Sequence, residues 1–447
     1  MPSRAISRPV TIPAGPPRAL SHPLPAGMRD LLPEEARRRR ALARLVLDHF
    51  ALHGYHLVTP PAFELAEVLE RGLGALDPAD VLRFVEPESG EVAALRPDMT
   101  PQIARMVATR LAREPRPIRL CYEGTIVRRR QGRARRHRQV PQAGVELYGA
   151  GGQAGDLEIL RLSASVVRLA GLSDVVIDLG HASIARALLD ALPAPLAALV
   201  GDALAHKDAS RIGALLGPSR SPAHAALAVL ADLHGGGPGE PSGEAIFARA
   251  EPLFEGTGAE APLRELRALW EAARRDADLA AALRLDLGEV RGFAYYTGTI
   301  FHVLAPGPGE PIGAGGRYDD LLARFDAPMP AIGFALHLDS VAWAREAAGV
   351  RDDAPPAVLV AAGAASGRLV ESLRAQGIAA AQHALDGAHA YAAAWRFTHV
   401  LTARDEGGAL GYHIARVGAH AASGGAPTEG APPLDEAAIA RAIAGQP

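Results

Sequence analysis

The hydrophobic positions of the chain follow two rhythms. Leu42, Leu45, Val46 and Phe50 recur at helical spacing, Pro33, Glu34 and Glu35 suit a first helical turn, and Gly54 is a stop signal. A strand, YHLVTP, follows, and RFVEPESGEVAALRP reads as a hairpin turning at PESG. Thr100 as N-cap with Pro101 behind it marks the next helix start. From Ile118 to Gly149 the pattern is strand, basic loop, strand, which predicts an antiparallel pair with a long charged connection. A helix over about 156–171, a strand VVIDLG, and a helical block over about 182–284 broken by HGGGPGEPSG come next. EVRGFAYYTGTIF (289–301) resumes the strand rhythm, and AIGFALHLDSVAWA reads as a strand running into a helix.

These elements predict an α+β protein: a core over 26–348 whose antiparallel sheet is flanked by helices and carries the block 182–284 as an insertion. RDD and a proline pair near 349–355 mark a linker. AVLVAAG, a helix near 367–376 and THVLTAR predict a small C-terminal α/β unit over 356–415. Residues 1–25, rich in Pro and Arg, read as a flexible extension, and 416–447, poor in bulky apolar groups, as a low-complexity tail. No internal repeat stands out.

Composition narrows the function classes. At 447 residues the chain suffices for about three domains. With 48% apolar and 22% charged residues it falls in the globular range. A net charge of −3 gives no overall pull toward nucleic acid or an anionic membrane. No apolar run approaches the roughly 20 residues that span a bilayer, and the N-terminus lacks the apolar centre of a secretory signal, so a cytoplasmic protein without membrane or nucleic-acid partners is expected. Cys121 is the only cysteine, which removes intrachain disulfides and cysteine-based metal sites.

Candidate chemistry gathers in a few stretches. Arg291, Tyr295 and Tyr296 sit in a Gly-punctuated strand: either an aromatic core strand with satisfied hydroxyls, or a pocket in which Arg291 binds a carboxylate and a tyrosine bonds a polar group. The seven arginines from Arg128 to Arg138 are dense enough for an anion, or for salt bridges to a neighbouring chain. Asp98 precedes a helix and Glu146 lies on the returning strand; each has an ordinary structural use, yet one sheet can bring both to a shared pocket. GAGGRYDDL lacks the spacing of a phosphate-binding loop, and the histidines show no metal-ligand spacing, so no cofactor or metal is expected.

Taken together, GMRDLLPEE from Gly27, LRPDMTPQIAR, YEGTIVRRRQGRARRHRQVPQAGVE, EVRGFAYYTGTIF, GAGGRYDDL and AIGFALHLDS resemble, in order, the motifs of the histidyl-tRNA synthetase lineage of class II aminoacyl-tRNA synthetases. The resemblance covers about 26–345 and implies that family's sheet and dimeric pairing. By position it carries histidine contacts onto Asp98, Thr100, Arg128, Gln142, Glu146, Arg291, Tyr295 and Tyr296. The residue types suit a histidine zwitterion, with Asp98 and Thr100 toward the ammonium, Glu146 and a tyrosine toward the imidazole, and Arg291 or Arg128 toward the carboxylate.

The ATP side departs from the synthetase pattern. Arg130 stands where motif 2 carries its adenine-reading Glu, Ser340 where motif 3 ends in a phosphate-clamping Arg, His337 replaces a Gly and Ala294 an Asp. Losing one preorganised electrostatic group costs about 10² to 10³ in rate. A kept histidine pocket with a lost ATP clamp resembles the ATP phosphoribosyltransferase regulatory subunits, which implies no catalysis of its own. It further implies assembly with the short-form catalytic subunit, a homodimer core in a hetero-oligomer, and L-histidine as feedback effector. A working histidyl-tRNA synthetase is the alternative.

Overall fold

The structure is a computed structural model that describes residues 24–73, 81–128, 137–218, 221–290, 295–351, 355–361, 367–406, 409–417 and 436–444. It divides into two compact units, Met1–Arg351 and Asp352–Pro447.

In the first unit, α1 (Pro33–Leu52) leads into β1 (His56–Leu57). β2 (Phe63–Leu65), α2 (Ala66–Leu73), β3 (Arg83–Val85), β4 (Val92–Leu95) and α3 (Thr100–Arg110) follow. β2, β4 and β3 form a small antiparallel sheet, with β3 and β4 as the hairpin expected around PESG. β5 (Ile118–Val127) and β6 (Gln139–Tyr148) pair antiparallel over their full lengths, and most of the arginine-rich connection, 129–136, lies outside the described residues. α4 (Gly152–Leu169) and β7 (Val176–His181) come next.

The helical block comprises α5 (Ala182–Leu189), α6 (Ala194–Ala205), α7 (Ala209–Leu216), α8 (Pro222–Leu230), α9 (Gly243–Phe254), α10 (Glu260–Ala273) and α11 (Ala277–Ala282), with the short β8 (His234–Gly235) inside it. β9 (Leu283–Asp286), β10 (Thr299–Leu304), β11 (Gly313–Arg317), β12 (Ala331–His337) and α12 (Leu338–Ala347) complete the unit. The nine-stranded sheet runs β1-β5-β6-β12-β11-β10-β7-β9-β8, antiparallel except for the parallel β1–β5 and β7–β9 pairs.

Strand alternation assigns the two faces of this sheet. Cys121, Val145, Leu147, Ile332 and Leu336 point to one side, where they are buried against Leu42, Val46 and Phe50 of α1 and Ile159, Leu160 and Val166 of α4. Their register neighbours Leu120, Tyr122, Gly144, Glu146, Gly333 and Ala335 point to the other. That second face is covered by Ile103 and Val107 of α3 and by Tyr295, Tyr296 and Tyr318. It is the polar, aromatic side of the sheet.

Two local expectations are corrected. The 289–301 stretch is not one strand: β10 begins only at Thr299, so Tyr295 and Tyr296 precede it and escape strand alternation. Both are buried on the same side, with ring centroids 4.9 Å apart. Thr100 is not an N-cap; Met99 takes that position without a side-chain capping bond, and the Thr100 hydroxyl turns to Glu146.

The second unit has the sheet order β14-β13-β15-β16, formed by β13 (Ala357–Ala361), β14 (Ala379–His383), β15 (His399–Glu406) and β16 (Ala409–Arg416). α13 (Gly367–Ala375) and α14 (Ala388–Ala394) accompany it. A final helix, α15 (Glu436–Ala444), falls within the stretch read as tail and buries Ile439 and Ile443 against Val358, Leu369 and Leu373. Two isoleucines four apart suffice to dock a short helix, a signal diluted by its alanine-rich surroundings.

Candidate functional site

A cavity of about 340 Å³ opens on the polar face of the nine-stranded sheet. Its floor is made by residues with little or no side chain: Ala335 and Gly333 of β12, Ala314 and Gly315 of β11. The bare backbone of these strands is required. A Cβ on Gly333 would strike the Glu146 carboxylate, and one on Gly316 would lie 2.8 Å from the Tyr296 ring. Glycine thus leaves room here for the groups of the pocket rather than for a turn.

Asp98, at the end of the β4–α3 connection, is 3% exposed. Its Oδ1 accepts the Met99 amide at 2.8 Å and its Oδ2 the Tyr295 hydroxyl at 2.8 Å. Burial pushes this carboxyl above its ordinary range, against the pull of the Tyr295 bond and the nearby Arg128 guanidinium. Glu146, near the C-terminal end of β6, is held by the Thr100 hydroxyl at 2.7 Å and by the Tyr318 hydroxyl. Burial, reinforced by the neighbouring Asp98, holds Glu146 well above the usual carboxylate range. The phenols of Tyr122, Tyr295 and Tyr296 are likewise pushed up, chiefly by burial, and stay neutral donors. One buried carboxyl, Asp98, thus faces the cavity with a second, Glu146, behind it, an arrangement that a cationic ligand would relieve.

Gln142 supplies a second indication of a ligand. It is 2% exposed and lines the cavity, yet among the described residues its Oε1 has no hydrogen-bond partner. A buried, unsatisfied acceptor in a cavity that a buried carboxyl also lines suits an incoming N–H donor.

Of the eight residues singled out from the sequence, Asp98, Thr100, Arg128, Gln142, Tyr295 and Tyr296 line this cavity together. Glu146 lies one layer beneath, its two oxygens engaged by Thr100 and Tyr318. Arg291 lies outside the described residues. Sequence reasoning missed Tyr318, His302, His337 and Glu310 as cavity walls. His302 and Tyr318 are placed by strand register, which no local pattern reveals; His337 stood out as a departure from glycine and as a histidine without metal-ligand spacing, not as a cavity wall. At the position expected of the phosphate clamp, the buried Ser340 hydroxyl faces Glu310 Oε1 at 3.4 Å.

The family described as Histidyl-tRNA synthetase matches residues 27–341, the extent of the sheet and its pocket. The fold is therefore that of the class II histidyl-tRNA synthetases. Among solved structures, an ATP phosphoribosyltransferase regulatory subunit/histidyl-tRNA synthetase from Bacillus halodurans is similar with a TM-score of 0.73 and 26% identity, covering 86% of this chain and 99% of that one. The ATP phosphoribosyltransferase regulatory subunit of Anaeromyxobacter dehalogenans strain 2CP-C is 46% identical over 332 residues, 73% of this chain and 93% of the relative. That of Moorella thermoacetica is 41% identical over 326 residues, 72% and 82% of the two chains. Within the synthetase class, the chain belongs to the ATP phosphoribosyltransferase regulatory subunits.

Proposed function

We propose that the chain senses L-histidine in the cavity around Asp98 and Gln142 and conveys it as feedback to a short-form ATP phosphoribosyltransferase catalytic subunit, whose activity in the first step of histidine biosynthesis requires this chain. The buried Gln142 acceptor, unsatisfied among the described residues and in the cavity that Asp98 also lines, is the observation that carries the reading. An α-ammonium would lie between them, with charge-assisted bonds to Asp98 and a bond to Gln142. Arg128 supplies the cation for the ligand carboxylate, and the tyrosines and His302 supply hydrogen-bonding partners for an imidazole. Glu146 acts through Thr100 and Tyr318 as a positioning residue.

The chain forms no adenylate in this reading. A carboxylate, Glu310, faces Ser340 where the synthetase pattern has a phosphate-binding arginine, so a polyphosphate meets repulsion instead of a clamp. Regulation then rests on histidine binding one state of the complex better than another, and typical couplings of about 1–3 kcal/mol give 5- to 150-fold effects. A homodimer core is supported by the small sheet, where Phe63, Leu65 and Phe84 leave one apolar face exposed.

The first test is histidine-dependent exchange of pyrophosphate into ATP by the purified chain, run beside an activity assay of the short-form catalytic subunit with and without the chain. No exchange, with transferase activity that appears on adding the chain and falls with histidine, is expected. Robust exchange would overturn the reading in favour of a synthetase.

A further inference from the structure

Among the described residues, two cations of the helical block reach residues behind the pocket, one at the end of β9 and one at the Tyr296 carbonyl. The first is Lys207, the only lysine of the chain. It sits in the short turn between α6 and α7 with φ 54, a left-handed conformation that a side-chain-bearing residue adopts at a cost. From there its Nζ reaches Asp286 Oδ1 at 2.6 Å, at the end of β9. Asp286 is 5% exposed, and its carboxylate lies within 4.8 Å of those of Asp178 and Glu289. Three carboxylates this close repel one another, and the Lys207 ammonium supplies the opposing charge. Gly288 lets the chain pass, since a Cβ there would meet the Leu230 carbonyl at 2.6 Å and Lys207 Nζ at 3.3 Å. Glu289 in turn stands 3.9 Å from Nδ1 of His302, a wall of the cavity.

The second cation is Arg186 of α5, whose Nη2 donates to the Tyr296 carbonyl at 2.8 Å. Two neighbouring contacts extend this seam: Ser183 Oγ donates to the Thr297 carbonyl at 2.8 Å and the Ala182 amide to the Gly298 carbonyl at 2.9 Å. Neither Lys207 nor Arg186 lines the cavity.

We infer that Lys207 and Arg186 are positioning residues through which the helical block sets the geometry of the ligand pocket, so that ligand occupancy and the packing of α5 to α7 are linked. A pocket wall fixed by two charged contacts from outside is tightened when those contacts hold and loosened when either is cut, and linkage makes the effect reciprocal. The inference deepens the histidine-sensing reading and rests on it.

The test is isothermal titration of L-histidine into the full-length chain and into its Lys207→Met, Lys207→Arg and Arg186→Gln variants, with amide hydrogen exchange recorded with and without histidine. Affinity is expected to fall about tenfold or more in Lys207→Met and in Arg186→Gln and to recover in Lys207→Arg. Saturating histidine is expected to slow exchange in α6 and α7 of the unaltered chain, and to do so less in Lys207→Met. Should Lys207→Met fail to fold, Arg186→Gln against the unaltered chain decides through the same two readouts. Variants that match the unaltered chain in affinity and in histidine-induced protection would overturn the inference. An unaltered chain that binds no histidine would overturn instead the histidine reading on which it stands.

Discussion

Replacing Asp98 by Asn separates the stability of the pocket from its use. Asp98 is fully buried, and its carboxyl is held above the ordinary range mainly by burial. A carboxyl whose folded pKa exceeds its unfolded value costs nothing below the unfolded pKa of about 3.9. The cost grows as pH rises through the interval between the two values, by about 1.4 kcal/mol for each unit of upward shift, and levels off above the folded one. Asn keeps the shape, can still accept the Met99 amide, and presents its amide to the Tyr295 hydroxyl, which can accept as well as donate. It also removes the charge that raises Glu146. The substituted chain should therefore match the original in melting temperature near pH 4 and exceed it increasingly toward pH 8. Any such gain appears directly as a rise in melting temperature. Histidine binding should move the other way. Loss of a charge-assisted bond to the ammonium costs about 1.5–3 kcal/mol, or roughly 10- to 150-fold in Kd. Thermal unfolding across pH, followed by calorimetric titration at pH 8, measures both. A substituted chain that is less stable at pH 8 than at pH 4 relative to the original refutes the burial argument, and unchanged histidine affinity refutes the ammonium assignment.

Other consequences follow from the same geometry. Gly333→Ala drives a methyl into the Glu146 carboxylate, and should both lower the melting temperature and erase its rise on adding histidine, as differential scanning fluorimetry would record. Arg317→Met strips the partner from Asp156, whose Oδ1 now accepts from Nε at 2.9 Å in a buried site; a loss of about 3–5 kcal/mol in denaturant unfolding is expected, because an uncompensated charge remains. Phe63→Glu with Phe84→Glu places charges on the exposed apolar face of the small sheet, and light scattering should then report a smaller assembly without loss of helical signal.

Much of the frame was legible in the chain. The β3–β4 hairpin, the β5–β6 pair and the passage of β12 into α12 follow from turn residues and from apolar alternation. The site residues Asp98, Thr100, Arg128 and Gln142 lie on or beside those regular elements, where position in sequence translates simply into position on a face. Tyr295 and Tyr296 were misread as strand residues because the strand begins later, at Thr299, and a loop obeys no two-residue period. Tyr318 was passed over because its meaning depends on register: it reaches Glu146 only because β12 lies between β6 and β11. The docking of α15 is a tertiary fact resting on two isoleucines, too few to stand out in an alanine-rich stretch.

The division of labour between the faces of the nine-stranded sheet bears on how such a chain can change over evolutionary time. Cys121, Val145, Leu147, Ile332 and Leu336 seal one side, while their immediate neighbours in sequence hold the pocket on the other. A substitution on the pocket side leaves the apolar side untouched, so one scaffold can shed a chemistry residue by residue while remaining folded. Positions on the pocket side are thereby free to vary at little cost to the packing that holds the sheet together.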